Sequence, residues 1–337
     1  MHTKTIQILN PWCLLGEPVY DEPIWPANSV ESFRFFQKVD WVSFGVTTLV
    51  ALTVYWFTLA PDIGLEASGH FAASSAYLGV PDNPGYPVWT IYSWVFTKLP
   101  FSNIARRIAL SSAVAGGLVC GLVALMVSRV GVLLAKNISG FKNFPSKEEK
   151  SIRMVCGCVA GLGFGFDGCF WPKAVIVDPL PFGLFLFTLA LCLLTRWFFA
   201  PQRRRYLYMA SLAYGLSLGD SLSLLAAALG LPFFVAMADR KIGREIFFWF
   251  GTFLWYALEL NGKSNWLDEY IYSSTRIYVI GAAVVFTLLW IVFSFQTRRF
   301  FSEWKAASIC AALFLLGISA YFLLPIFSMM EPPMNWG

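Results

Sequence analysis

The side chains best placed to do chemistry are carboxylates set at the edges of apolar runs. Asp167 and Asp178 flank the turn Trp171-Pro172-Lys173, and Asp220 lies in Gly219-Asp220-Ser221 between two further runs. An ionisable group beside hydrocarbon is costly, so each is either snorkelling and paired, with Lys173 or Arg107 for instance, or part of a site. Carboxylates orient or accept protons, an effect worth about 10²–10⁴-fold in rate. Cations stabilise negative charge where it develops. Asp220 reads equally as a helix cap before Leu222. More polar side chains sit in the longest non-cytoplasmic segment: Glu66, His70 and Asp82, with Tyr86 and then Arg106 and Arg107 at its end. Alone, His70 reads as an ordinary surface histidine.

The elements that position these groups follow from composition. Hydrophobic residues make up 57% and charged residues 13% of the 337, with a mean hydropathy of +0.61. A soluble domain carries roughly 25% charge. About 20 apolar residues span a bilayer, and backbone groups without water must bond within a helix. The sequence therefore predicts an all-α polytopic membrane protein with about nine transmembrane helices, near 41–60, 108–128, 154–172, 174–195, 206–219, 222–238, 245–259, 277–295 and 306–325. The fifth and seventh are short for full spans.

Most of the 25 lysines and arginines fall on one side of this threading. Lys98, Arg106, Arg107, Lys173, Lys263 and Arg276 fall on the other. The positive-inside rule then puts the N-terminal segment 1–40 in the cytoplasm and the carboxylate-bearing loops outside. The large outer loop 61–107 is rich in proline and glycine, which mark turns, and its stretches 68–78 and 87–99 are amphipathic enough to lie at the membrane surface. Tyr86, Trp89, Tyr92 and Trp94 suit that interface.

Several patterns lead elsewhere. The net charge of +5 reflects topology and gives no reason to expect nucleic-acid binding. Residues 1–40 lack a continuous apolar core and so show no signal peptide. The cysteines lie mostly in apolar runs, and Cys156-x-Cys158 has no second pair or histidine cluster to make a metal site. The glycines of 161–168 have no preceding strand and fit close helix packing rather than a phosphate loop. Asn137-Ile138-Ser139 matches a glycosylation acceptor but is predicted to face the cytoplasm.

The outer-loop residues carry a family resemblance. Glu66-Ala67-Ser68-Gly69-His70-Phe71, Asp82-Asn83-Pro84-Gly85-Tyr86-Pro87-Val88 and Leu99-Pro100-Phe101 through Arg107 resemble the membrane glycosyltransferases of the GT-C type. The closest resemblance is to the bacterial family of unknown function related to protein O-mannosyltransferases. That family shows G-D-S-G-E-F-like and H-P-P-G-Y-P-L motifs there. Ala174 to Asp178 looks like its acidic segment heading the fourth span, Leu216 to Asp220 like L-x-L-G-N, and Asn335-Trp336-Gly337 like a late N-W-G element.

The resemblance implies a GT-C-like domain over 41–337 that transfers a sugar from a polyprenyl-phosphate carrier to a protein or glycan acceptor outside the cytoplasm, in a bacterial inner membrane. It implies Glu66 and Asp178 as catalytic carboxylates, and His70, Asp82, Tyr86, Arg106, Arg107, Lys173 and Asp220 as substrate-binding. Arg107 is at the depth of a lipid phosphate. Membrane lipid and the lipid-linked sugar are the implied ligands; a divalent metal is compatible with the fold type, but no His/Asp cluster demands one. The family's acidic positions fall on Ala67 and His70, its opening histidine on Asp82, and the histidine after L-G-N on Ser221. Relatives continue past N-W-G into further helices and a soluble domain that this chain lacks. An inactive or fragmentary member acting as a membrane partner is thus one alternative. A transporter is another, though no inverted repeat supports it.

Overall fold

The computed structural model describes residues 35–64, 67–82, 85–135, 146–221, 224, 227, 230–261, 273–298 and 302–335. Among these the structure is helical, with a single isolated bridge pairing Val80 and Asn335. The helices are α1 (Lys38–Thr58), α2 (Ser68–Tyr77), α3 (Pro87–Thr97), α4 (Ile104–Ala135), α5 (Ser146–Gly165) and α6 (Phe170–Ala174). They continue with α7 (Leu180–Phe198), α8 (Arg205–Asp220), α9 (Leu231–Ala238), α10 (Arg240–Asn261), α11 (Ser273–Thr297) and α12 (Trp304–Ile318). A 3₁₀ turn (Ser319–Phe322) then leads into α13 (Leu323–Ser328).

Five segments are long and apolar enough to cross a membrane: Lys38–Thr58, Ile104–Gly131, Leu180–Phe198, Val279–Thr297 and Trp304–Ser328. They match the first, second, fourth, eighth and ninth predicted spans. The others differ. The run 154–172 ends as a helix at Gly165, because Asp167 breaks it and Trp171-Pro172-Lys173 turns separately in α6. The sixth predicted span, 222–238, contains only the eight-residue α9 among its described helices. Helix α10 has 22 residues, starting earlier than the predicted 245 because Arg240, Lys241 and Arg244 join its first turns.

Helix α1 packs against α4 and α5, α7 against α4 and α8, α8 against α12, and α10 against α9 and α11. Small residues allow the close approaches. A Cβ at Gly161 of α5 would meet the backbone oxygen of Cys120 in α4, and one at Gly317 would lie 2.6 Å from the Leu216 nitrogen. Glycine at such crossings lets backbones touch where water and hydrophobic exclusion contribute nothing. Tyr55, Trp89, Ile108, Ala113 and Phe170 fill the core between α1, α3, α4 and α6.

One end of α1, α4 and α5 is tied by charge. Arg153 bonds both carboxylate oxygens of Asp40 at 2.7 Å, and Ser128 donates to the same carboxylate. Arg153 also donates to the Gln37 side chain at 2.7 Å. Both charges are buried, so each depends on the other.

Candidate functional site

At the other end of α4, Asn103 starts the helix by accepting the Arg106 backbone N–H at 2.8 Å. Two turns on, the Ser112 hydroxyl donates to the Asp178 carbonyl at 2.9 Å and accepts the Asp178 N–H at 3.2 Å. This clamp fixes Asp178 just before α7. Its Oδ1 accepts the Leu180 N–H at 2.8 Å, and its Oδ2 lies 3.3 Å from Lys173 Nζ. The helix N-terminus and the ammonium both favour the ionised carboxylate.

Tyr86 is the common neighbour of the acidic groups. Burial raises its hydroxyl above the ordinary tyrosine value, and the charges of Asp178, Asp82 and Asp220 raise it further. The charges of three carboxylates from separate segments thus act on one phenol. The residue adopts φ 45° and ψ 52°, a left-handed conformation uncommon outside glycine. Gly85 precedes it at φ 98°, and a Cβ there would come within 2.6 Å of Leu324. The turn closes with the Gly85 N–H donating to the Asp82 carbonyl at 3.0 Å. Pro87 then opens α3 at the first-turn position that suits proline.

Asp220 lies at the end of α8, just past the predicted span 206–219, and only 1% of it is exposed. Leu222 and Ser223, the residues it reads as capping, lie outside the described residues. Its Oδ1 accepts the Trp89 N–H at 3.0 Å, capping the first turn of α3, while Oδ2 is buried without a hydrogen-bond partner among the described residues. Burial pushes its pKa up to about 8, although the Trp89 bond opposes that shift. Near neutral pH the group is largely a neutral acid, with an O–H to donate.

The final described residues complete this corner. The Val80 N–H donates to the Met334 carbonyl at 3.1 Å, and Asn335 Nδ2 donates to the Ser328 hydroxyl at 3.0 Å. A Cβ at Gly79 would collide with the Met334 carbonyl. The 78–88 loop is therefore held between α8 and the segment after α13.

The other predicted residues divide. Glu66 lies outside the described residues. His70 on α2 and Asp82 in the turn are exposed. Arg106 sets its guanidinium 5.9 Å from the Trp56 ring centroid. Four of the five Arg107 N–H groups go to the carbonyls of Thr97, Leu99, Ser102 and Asn103, at 2.7–3.3 Å. In this geometry Arg107 holds the loop after α3.

Trp89, expected at the lipid interface, is fully buried instead, against Phe71 at 5.5 Å between ring centroids. Its place in α3 turns it toward the protein. Tyr92 stacks on Phe182 at 4.3 Å and donates to the Ser111 carbonyl at 3.0 Å. Sequence reasoning missed Ser112, whose only sign was a serine pair inside an apolar run. Among the described residues, no three His, Cys, Asp or Glu side chains gather as metal ligands.

Apolar helices of spanning length, with carboxylates, a phenol and an ammonium gathered at one end, define a helical membrane protein with a polar site at its edge. The family model described as the protein O-mannosyl-transferase TMEM260 N-terminal domain matches residues 67–242, just over half of the chain, and the chain belongs to that family. By that description the family is one of glycosyltransferases. The match takes in α2, α3, Tyr86, Lys173, Asp178 and Asp220. No solved structure matches the chain.

Proposed function

We propose that this chain is an integral membrane glycosyltransferase of GT-C type that moves a sugar, in the manner of an O-mannosyltransferase, from a polyprenyl-phosphate carrier to a protein or glycan hydroxyl. The reaction takes place on the extracytoplasmic side. The carrying observation is that the family match spans Tyr86 and the three carboxylates, Asp178, Asp82 and Asp220, whose charges act on its hydroxyl.

Transfer forms a bond from the acceptor oxygen to the anomeric carbon and breaks the bond from that carbon to the phosphate oxygen. The acceptor proton passes to a carboxylate, and the lipid phosphate leaves with the electron pair. Glu66, two positions before α2 in the sequence, is the proposed proton acceptor. Asp178, fixed by Ser112 and α7, orients the sugar or acceptor, and Lys173 beside it meets the developing phosphate charge. Tyr86 and neutral Asp220 supply hydroxyl donors to the sugar. His70, Asp82 and Arg106 line the outer approach.

In this reading the carrier's tail lies along the lipid-facing helices, and α2 and α3 lie at the membrane surface. The positive-inside bias orients the chain with residues 1–40 inside, and the short helices complete about nine crossings with their neighbours. A bacterial plasma membrane fits that arrangement.

The test is sugar transfer from mannosyl polyprenyl phosphate in proteoliposomes, comparing the native chain with Glu66→Gln and Asp178→Asn. Transfer by the native chain that falls in both variants supports the assignment. Folded native chain without transfer supports instead the inactive-member reading, for which the specific observation is Ala67, exposed before α2 where relatives carry an acid.

A further inference from the structure

A cavity at the far end of α8 from Asp220 has a different chemistry. It encloses about 400 Å³ and is lined by Glu245, Phe248 and Trp249 of α10 and by Trp304 and Ser308 of α12. Arg204, just before α8, pairs with Glu303 at 2.8 Å, which fixes this end of the bundle. The first turn of α12 and the first half of α10 form the walls, and three of the five lining residues are aromatic.

Glu245 is 1% exposed and belongs to neither the proposed reaction nor its substrate site. Its Oε1 accepts the backbone N–H groups of Ser302 and Glu303 at 2.6 and 2.7 Å and an Arg244 N–H at 2.7 Å. Arg244 in turn donates to the side chains of Thr297 and Ser302. All three bonds to Glu245 fall on the same oxygen. Oε2 is buried and has no hydrogen-bond partner among the described residues. A buried carboxylate oxygen left open is costly, and its residue lines a cavity together with three aromatic side chains.

We propose that this cavity binds the ammonium head of a zwitterionic membrane lipid. Ring faces of tryptophan and phenylalanine attract organic cations, and Glu245, whose Oε1 is already paired with Arg244, has its second oxygen to offer the ammonium. Ser308 provides a hydroxyl on the wall. The source is a lipid because the cavity lies at the end of a span: Trp304, 55% exposed, is the first residue of the spanning-length segment Trp304–Ser328, and Trp249 on the same cavity is 40% exposed. Tryptophans gather at the ends of membrane spans, at headgroup depth. Lys305, with Nζ 6.0 Å from the Trp304 ring centroid, offers a positive partner to the lipid phosphate one group further out.

The test is native mass spectrometry of the full chain, purified in detergent and incubated with equimolar phosphatidylethanolamine, phosphatidylcholine and phosphatidylglycerol. The ammonium lipids should be retained roughly tenfold over phosphatidylglycerol. Trp304→Leu and Trp249→Leu, each made separately at a partly exposed position, should bring that ratio close to one. Glu245→Gln, which keeps an oxygen to accept the Ser302 and Glu303 N–H groups, should lower it as well. Choline chloride should displace the retained lipid. Equal retention of phosphatidylglycerol, or a preference unmoved by both tryptophan variants, would overturn the proposal. Binding of choline with no retention of either ammonium lipid would overturn the lipid as source.

Discussion

The Trp89 backbone N–H donates to Oδ1 of Asp220 at 3.0 Å, across 131 positions of sequence. The end of α8 is thereby the cap of α3. A side chain that reads locally as the start of its own next helix orients a distant one, the helix that carries Tyr92 and the Trp89 core. Asp220 is a positioning residue in the first instance, and its second oxygen faces no partner among the described residues.

That arrangement makes stability depend on pH. The folded pKa of about 8 lies above the ordinary 3.8, so between these values the folded protein keeps a proton that the unfolded chain has released. Stability from this group is fully present below about pH 4, declines as pH rises, and levels off above about 8. Asp220→Asn, which preserves the acceptor for Trp89, should flatten the decline and raise the melting temperature at pH 9 relative to the native chain. Thermal unfolding in detergent from pH 4 to 9 checks it. Parallel curves for the two proteins would remove Asp220 as the source.

Asp178→Asn separates chemistry from packing. Asparagine can still accept the Leu180 N–H, and the Lys173 pair is partly exposed, so stability should change by about 0–1 kcal/mol. Transfer should fall by roughly 10²–10⁴-fold if Asp178 acts on substrate. The paired measurement is the transfer rate and the melting temperature of the same preparation.

Arg107 yields the reverse pattern. Replacing it with alanine frees four carbonyls around the 97–103 turn and should destabilise the protein by about 1–3 kcal/mol. The KM for the lipid-linked donor should stay near the native value in the folded fraction. A raised KM with an unchanged melting temperature would return Arg107 to phosphate binding.

Gly85→Ala should be poorly tolerated for two reasons. The left-handed backbone costs roughly 1–3 kcal/mol for a residue with a Cβ, and that Cβ would press on Leu324. Adding Leu324→Ala should recover the steric part and leave the backbone part. Melting temperatures of the two single variants and the double variant give that coupling.

Arg153→Met leaves Asp40 charged and buried, and should cost about 3–5 kcal/mol. Replacing both partners with apolar residues of similar size should recover much of the loss. Urea or thermal unfolding of the three variants measures it.

The apolar runs were legible because length and hydropathy alone decide a spanning helix: α1, α4, α7, α11 and the α12–α13 segment overlap their predicted spans, although α4 runs on to Ala135 and α7 starts only at Leu180. Where apolar composition continued through a turn, as at Trp171-Pro172-Lys173, hydropathy had no means of finding the break. The carboxylates were legible as exceptions in apolar surroundings. Their partners were not. The Asp178 clamp by Ser112 spans 66 positions, and Asp220 reaches Trp89 across 131, so neither pairing leaves a local pattern. The carbonyls that hold Arg107 are backbone groups, and backbone acceptors are invisible to residue type. Oriented motif residues thus came from sequence, and their roles as clamps and caps came only from geometry.

The bridge between Val80 and Asn335 sets an order in time. A ribosome that has made α3 and α4 has yet to make the strip against which the 78–88 loop lies, and Gly79 and Gly85 have nothing to press on until α13 and its tail arrive. The corner around Tyr86 can reach its final shape only after α13 and the residues that follow it have been made. A chain under synthesis therefore carries an open corner until that strip emerges, about 240 residues after the loop it closes.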